Sequence, residues 1–380
     1  MAPLPLLVLS VLLHGLIAWR LLPAWGGHPW MLGLVAAVLL ASAVLMPAGL
    51  MARRLRSRRA AAALTWAGYL CLGLFSSLLV LTLLREVGLL ITTLAAWLLP
   101  GRVPLSALVL VSGRAVPIAA GAITLWGFLN ARRTAAVVRV DVPITGLPPA
   151  LQGFTIAQIS DVHVGPTIKR DYLDAIVQAV NRLDADMVAV TGDLVDGRVP
   201  ELASHVAPLA QLRSRHGTYF VTGNHEYYSG AAAWVQELRR LGVQVLQNEH
   251  VLLQHGGTPL LVDGVTDYSA HHFDAAQRSD PEAALAGAPA EAAVRILLAH
   301  QPRSAEAAER AGFQLQLSGH THGGQFWPWN FFVRLQQPFT AGLHRLHGLW
   351  VYVSRGTGYW GPPKRFGAPS EITHLRLVAA

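Results

Sequence analysis

The sequence predicts a multi-span α-helical membrane region followed by an α/β domain, and three observations carry that reading. The 380 residues contain only 14% charged side chains and have a mean hydropathy of +0.38, too apolar for an ordinary soluble protein of this length. Polarity is also divided along the chain: residues 1–130 hold nine Arg and one acid, Glu86, whereas 131–380 hold 21 basic and 21 acidic residues. Beyond residue 150, short apolar β-type runs alternate with amphipathic helical ones, the pattern of a layered α/β fold.

The surplus charge of +8 lies in the apolar part, where arginines mark topology rather than a phosphate-backbone footprint. No nucleic-acid partner is expected. Cys71 is the one cysteine, which excludes a disulfide framework and a thiolate metal site.

Residues 4–22 are apolar apart from Ser10, His14 and Arg20, and 30–51 carry no charge. Each is close to the roughly 20 residues needed to cross about 30 Å of hydrocarbon. A cleaved signal peptide is disfavoured for the first, because a basic n-region is missing and a second apolar run follows at once. Arg53, Arg54, Arg56, Arg58 and Arg59 then cluster before a third apolar run at 60–84. The positive-inside rule puts that loop in the cytoplasm. Residues 87–99 are short for a span and end at Pro100-Gly101-Arg102, so they read as an interfacial or re-entrant helix. Residues 105–129 are long enough and contain Arg114 and Pro117; an arginine there is either functional or snorkels to the interface. Four spans, at 4–22, 30–51, 60–84 and 105–129, place everything after residue 130 in the cytoplasm. A fifth at 87–99 reverses that conclusion.

Residues 131–149 read as a linker, with a short strand at 137–142 and a Pro- and Gly-rich stretch at 143–149; residues 150–380 read as the α/β domain. Its strand-like runs end in groups that bind metals or move protons. The run 154–159 leads to Asp161 and His163, which alternation sends to one face, and 187–191 leads to Gly192-Asp193-Leu194-Val195-Asp196. The run 218–222 leads to Gly223-Asn224-His225-Glu226, 294–299 to His300, and 313–317 to Gly319-His320-Thr321-His322. Helical patterns at 172–183 and 201–213 lie between. Carboxylate and amide oxygens mixed with imidazoles suit Mn, Fe or Zn rather than Ca or Mg alone, and strand ends are where layered α/β folds assemble sites. Most other histidines lack such a setting, while for His271 and His272 a substrate contact stays open.

Taken in this order, Asp161-x-His163, Gly192-Asp193-x-x-Asp196, Gly223-Asn224-His225-Glu226, His300 and Gly319-His320-x-His322 resemble the calcineurin-like metallophosphoesterase superfamily over 150–380. Val353-Ser354-Arg355-Gly356-Thr357-Gly358 and the Pro-rich tail are similar to its YkuE/YaeI-like branch. The resemblance implies a double β-sheet sandwich flanked by helices and two divalent metal ions of Mn, Fe or Zn type. Asp161, His163, Asp193 and His322 would hold one ion, and Asp193, Asn224, His300 and His320 the other. It further implies hydrolysis of a phosphodiester or pyrophosphate bond by a metal-bridging hydroxide. His225 would stand near the leaving group with Glu226 orienting it, Arg198 is the candidate phosphate contact, and Asp196 has a supporting role. A bacterial inner (cell) membrane location follows from the same likeness.

Tethering to a bilayer favours a lipid-linked phosphoester or pyrophosphate over a free nucleotide. The segment from Gln325 to Arg334 holds Trp327, Trp329, Phe326, Phe331 and Phe332, and reads either as an interfacial anchor that presents a lipid or as core filling. The competing function is a membrane sensor or scaffold that keeps the metal site for ligand binding.

Overall fold

The computed structural model describes residues 3–99, 102–289 and 291–380. They form two compact units: one runs up to Leu129 and includes Gly361–Lys364, and the other comprises Asn130–Trp360 with Arg365–Ala380.

Four helices make up the first unit, α1 (Pro3–Leu21), α2 (Pro29–Leu50), α3 (Arg58–Leu98) and most of α4 (Leu105–Arg132). Each is long and apolar enough to cross a bilayer. The break expected after residue 84 is absent, because α3 continues as one helix of 41 residues, about 60 Å long at 1.5 Å per residue. Arg85 does not end it because its guanidinium is satisfied inside the bundle, donating from Nε to Ser112 Oγ at 2.9 Å and from Nη2 to the Val109 carbonyl at 3.0 Å. The expected breaker, Pro100-Gly101, and the side chain of Arg53 lie outside the described residues.

The second unit is built on two six-stranded sheets. One has the order β1 (Ala136–Ile144), β12 (Glu371–Ala379), β2 (Thr155–Ile159), β3 (Met187–Val190), β4 (Thr218–Phe220), β5 (Gln244–Val245). The other runs β10 (Gly342–Leu346), β11 (Leu349–Val353), β9 (Leu315–Ser318), β8 (Val294–Leu298), β7 (Thr258–Gly264), β6 (Glu249–His255). The short strand expected at 137–142 within the linker stretch is longer and belongs to the sheet: β1 pairs in parallel with β12 from Ala136↔Glu371 to Ile144↔Ala379. Pro143 is tolerated because β1 is an edge strand, where a missing N–H removes no ladder bond.

Side-chain alternation accounts for the layers. Ile156, Met187, Ala189 and Tyr219 of the first sheet meet Leu260, Val262, Ile296, Leu298 and Leu317 of the second in a buried core. Their neighbours Ala157, Ile159, Val188 and Val190 face the opposite way. They pack under α5 (Arg170–Asn181), α6 (Val199–Val206) and α8 (Ala231–Arg240), the last two separated in sequence by α7 (Asn224–Ser229). β2, β3 and β4 are parallel to one another, as are β8 and β9, so within each sheet their C-terminal ends share one edge.

One core position works against the fold. Asp263 in β7 is fully buried and neither carboxylate oxygen has a hydrogen-bond partner among the described residues. Burial, only partly offset by Arg295, pushes its carboxyl up to about 8. The folded state thus binds this proton more tightly than an unfolded carboxyl near 3.9, and stability falls as pH rises from about 4 to about 8. Asp263→Asn is expected to stabilise the domain at pH 8 by about 1–3 kcal/mol and by much less at pH 5. Near-UV circular dichroism melts at the two pH values measure this; an equal shift at both would show that the carboxyl is not protonated in the fold.

Candidate metal centre

Seven of the strand-end groups come together. Asp193 sits at their centre, with Oδ2 3.2 Å from His300 Nε2, 3.9 Å from His163 Nε2 and 4.0 Å from His225 Nε2. On one side His163 Nε2 lies 3.0 Å from His322 Nε2, and His322 Nε2 3.5 Å from Asp161 Oδ1. On the other, His320 Nδ1 lies 3.2 Å from His300 Nε2. Asp161, His163 and His322 form one set, and Asp193, His300 and His320 another, in which every ligand atom is within 4.8 Å of the rest.

Local backbone geometry produces this convergence. Nine described non-glycine residues have positive φ, and five of them are expected ligands: Asp161 (53°), His163 (56°), Asp193 (52°), His320 (70°) and His322 (52°). The left-handed region is uncommon for non-glycine residues, although Asp and His enter it more readily than most, and such strain persists where surrounding structure over-determines it. Here the loops are tied to each other: Asp161 N–H donates to the Gly192 carbonyl at 3.0 Å, His163 N–H to the Asp193 carbonyl at 3.1 Å, and His320 N–H to both Asp161 oxygens at 3.0 Å. Glycine precedes the ligands because nothing larger fits. A Cβ on Gly319 would lie 2.2 Å from Asp161 Oδ2, and one on Gly223 2.2 Å from Asp193 Oδ1.

The donor set fits divalent ions. Asn224 is nearly buried, yet its Oδ1 has no partner among the described residues, as expected for an amide oxygen reserved as a ligand. His300 Nδ1 donates to the Thr191 carbonyl at 2.7 Å, and His163 Nδ1 to Asp196 Oδ1 at 3.1 Å, which leaves both Nε2 lone pairs directed into the cluster. Burial alone would push Asp193 up, but the imidazoles of His300, His225 and His163 hold it well below the ordinary carboxylate range. Burial and the neighbouring His300 charge hold His320 down at about 3, so its imidazole is neutral and available.

The supporting residues differ from expectation. Glu226 does not orient His225. It is fully buried, and its oxygens accept the N–H groups of Gly223 (2.7 Å), Asp193 (2.9 Å), Leu194 (2.8 Å) and Val195 (3.3 Å). It thereby clamps the β3 and β4 loops together. Asp196 holds the imidazole instead, accepting from His225 Nδ1 at 2.6 Å as well as from His163. Arg198 is exposed at the start of α6; its carbonyl accepts from Glu201 N–H at 3.0 Å, and its side chain makes no ion pair or hydrogen bond among the described residues. His271 and His272 lie against each other, with ring centroids 4.0 Å apart and planes tilted by 43°, outside the cluster.

One contributor carried no sequence signal. Arg365, fully buried, donates to the carbonyls of His322 (2.9 Å) and Arg355 (2.7 Å) and lies 3.0 Å from His322 Nδ1. It braces the last ligand loop against the 353–358 segment, which in turn covers Asp161 through Gly358 N–H to the Asp161 carbonyl at 3.0 Å. An arginine in a Pro-rich tail follows no strand, so its place is set by tertiary packing alone.

Two parallel strand bundles that deliver carboxylates, an amide and imidazoles in two adjoining sets define a candidate dinuclear metal centre. The family model described as calcineurin-like phosphoesterase matches residues 154–324, and the chain belongs to that metallophosphoesterase family. It is 33% identical over 224 residues to an uncharacterized metallophosphoesterase of Aquifex aeolicus, covering 58% of this chain and 84% of that one. A transmembrane protein with metallophosphoesterase domain from Bos taurus is 44% identical over 266 residues, 67% of this chain and 60% of that one. The chain thus spans about three fifths of the length of that relative, and the same holds for an uncharacterized metallophosphoesterase of Helicobacter pylori, 42% identical over 228 residues.

Proposed function

We propose that this is an integral membrane phosphoesterase that hydrolyses phosphodiester or pyrophosphate bonds of a lipid-linked substrate with two divalent ions of Mn, Fe or Zn type. The observation that carries the reading is Asp193, fixed between two ligand sets so that its carboxylate can serve both. Asp161, His163, Asp193 and His322 would hold one ion and Asp193, Asn224, His300 and His320 the other. When bound, such a pair lowers the pKa of a water and neutralises phosphoryl oxygens. His225 is the group left over: it is held at Nδ1 by Asp196, with Nε2 free to pass a proton to the leaving oxygen. Arg198, two residues beyond Asp196, has an exposed side chain with no partner among the described residues and is the proposed phosphate contact.

Four helices of spanning length and the arginine loop before α3 support a bacterial inner-membrane protein with its α/β domain in the cytoplasm. Protease accessibility in right-side-out vesicles checks the side. Lipid linkage is supported by the segment after the last ligand: Trp327 is 38% exposed, Trp329 43%, Phe331 66% and Phe332 53%, whereas Phe326, at 8%, is buried. Replacing Trp327 and Trp329 by Ser is expected to lower turnover of a micellar lipid phosphodiester by about tenfold and to leave a soluble one unchanged. Unchanged turnover of both would remove lipid docking. The phosphoesterase reading itself is tested by loading the full chain with Mn²⁺ and screening a phosphodiester, a monoester and lipid pyrophosphates; a metal-loaded chain that hydrolyses none of them is a sensor or scaffold.

A further inference from the structure

Away from the metal centre, unmatched charge and unmatched donors coincide in the helical unit. A cavity of about 290 Å³ is lined by Leu16, Trp19, Arg20, Thr82, Leu83 and Glu86. Glu86 is the one acid of the first 130 residues, and both of its oxygens are occupied, one by Arg20 and one by Arg85. Two guanidiniums share one carboxylate, which leaves one positive charge in excess. Thr82 is 1% exposed and its Oγ1 has no hydrogen-bond partner among the described residues; the buried Nε of Arg20 has none either. Buried donors without acceptors are costly, and more so away from water.

The rest of the lining has the opposite character. Leu16 is 37% exposed, Leu83 49% and Trp19 68%, so the polar floor opens onto an apolar outer face. Its depth is informative too. From Arg58 to Glu86 along α3 is about 40 Å at 1.5 Å per residue, more than the roughly 30 Å of hydrocarbon. With the arginine loop at one interface, the cavity lies at the other, where headgroups sit and where tryptophan is the common anchor.

We propose that this cavity binds the phosphate of an anionic amphiphile. The phosphate accepts from Arg20 Nε and Thr82 Oγ1 and balances the excess charge, while the acyl chains lie over Leu16, Trp19 and Leu83. The two guanidiniums on Glu86 screen its carboxylate from the anion. This site is separate from the metal centre and does not depend on what that centre hydrolyses.

The test is native mass spectrometry of the full chain in detergent, titrated with phosphatidylglycerol, phosphatidylcholine or inorganic phosphate. Phosphatidylglycerol is expected to bind about tenfold more tightly than the zwitterionic lipid, and Thr82→Val, which keeps the shape and deletes the hydroxyl, to weaken it about tenfold. Leu16→Trp, which fills the cavity without touching its polar floor, is expected to abolish the tight site. Equal binding of the two lipids, or unchanged phosphatidylglycerol binding in both variants while they melt like the parent, overturns the proposal. Inorganic phosphate that binds as tightly as the lipid and displaces it also overturns it, in favour of a site for the free anion.

Discussion

Asp193→Asn is expected to reduce phosphoester turnover by at least about a thousandfold and to lower bound metal from two ions per chain to one or none. The substitution is nearly isosteric. It keeps the oxygen that accepts His225 N–H at 2.8 Å, and the backbone N–H of residue 193 still reaches Glu226 at 2.9 Å, so the loop has no reason to collapse. What disappears is the one negative charge facing His300, His163 and His225 together. Asp193 is the one carboxylate common to two of the ligand sets, and His163, the other residue that two sets share, carries no negative charge to replace it. Metal content by plasma emission spectrometry, read beside kcat, separates this from a folding defect: a variant that retains two ions and parental turnover would refute the assignment of Asp193 as the shared ligand. Chelation of the parent should give the same loss and be reversed by added Mn²⁺, whereas the variant should not recover.

The two-layer α/β plan was legible because its signal is local. Each central strand is a short apolar run, and each ends in residues that few structural roles explain, so Asp161, His163, Asp193, His300, His320 and His322 could be picked out before their spatial meeting was visible. What was not legible depends on partners remote in sequence. Alternation marked a short strand at 137–142, but its extension through Pro143 to Ile144 and its place beside β12, more than 200 residues later, depend on that partner. Glu226 stands next to His225 in sequence, yet α7 turns its carboxylate toward four backbone amides and away from the imidazole. Asp196 gains its importance from two imidazoles that arrive from other strand ends. The continuity of α3 past residue 84 was obscured by the adjacent charges of Arg85 and Glu86, which the helix carries because Arg85 is bonded to Ser112 and the Val109 carbonyl and paired with Glu86.

His225→Asn is expected to lower kcat by about 100- to 10,000-fold on an alkyl phosphodiester, by tenfold or less on a p-nitrophenyl ester, and to leave metal content unchanged. The asymmetry follows from the role the geometry allows. Asp196 accepts from Nδ1 at 2.6 Å, so the imidazole is oriented from behind and only Nε2 points forward. Burial would lower its pKa, but without ions the charges of Asp193 and Asp196 outweigh burial and raise it to about 9; with Asp193 engaged by ions, the Asp196 hydrogen bond still favours the protonated ring that can donate. An alkoxide leaving group needs that proton, and a nitrophenolate does not. Tyr228 and Trp360 pack edge-on against the ring, with centroids 5.3 Å and 5.6 Å away, and hold it at the mouth of the cluster. His225 also lies within ligand distance of Asp193 and His163, and as a ligand its loss would remove an ion and slow both substrates alike. The ratio of the two rates in the variant therefore decides between proton donor and ligand, whereas Asp196→Ala should combine a weaker donor pattern with looser metal binding, because it frees the His163 ring as well as that of His225.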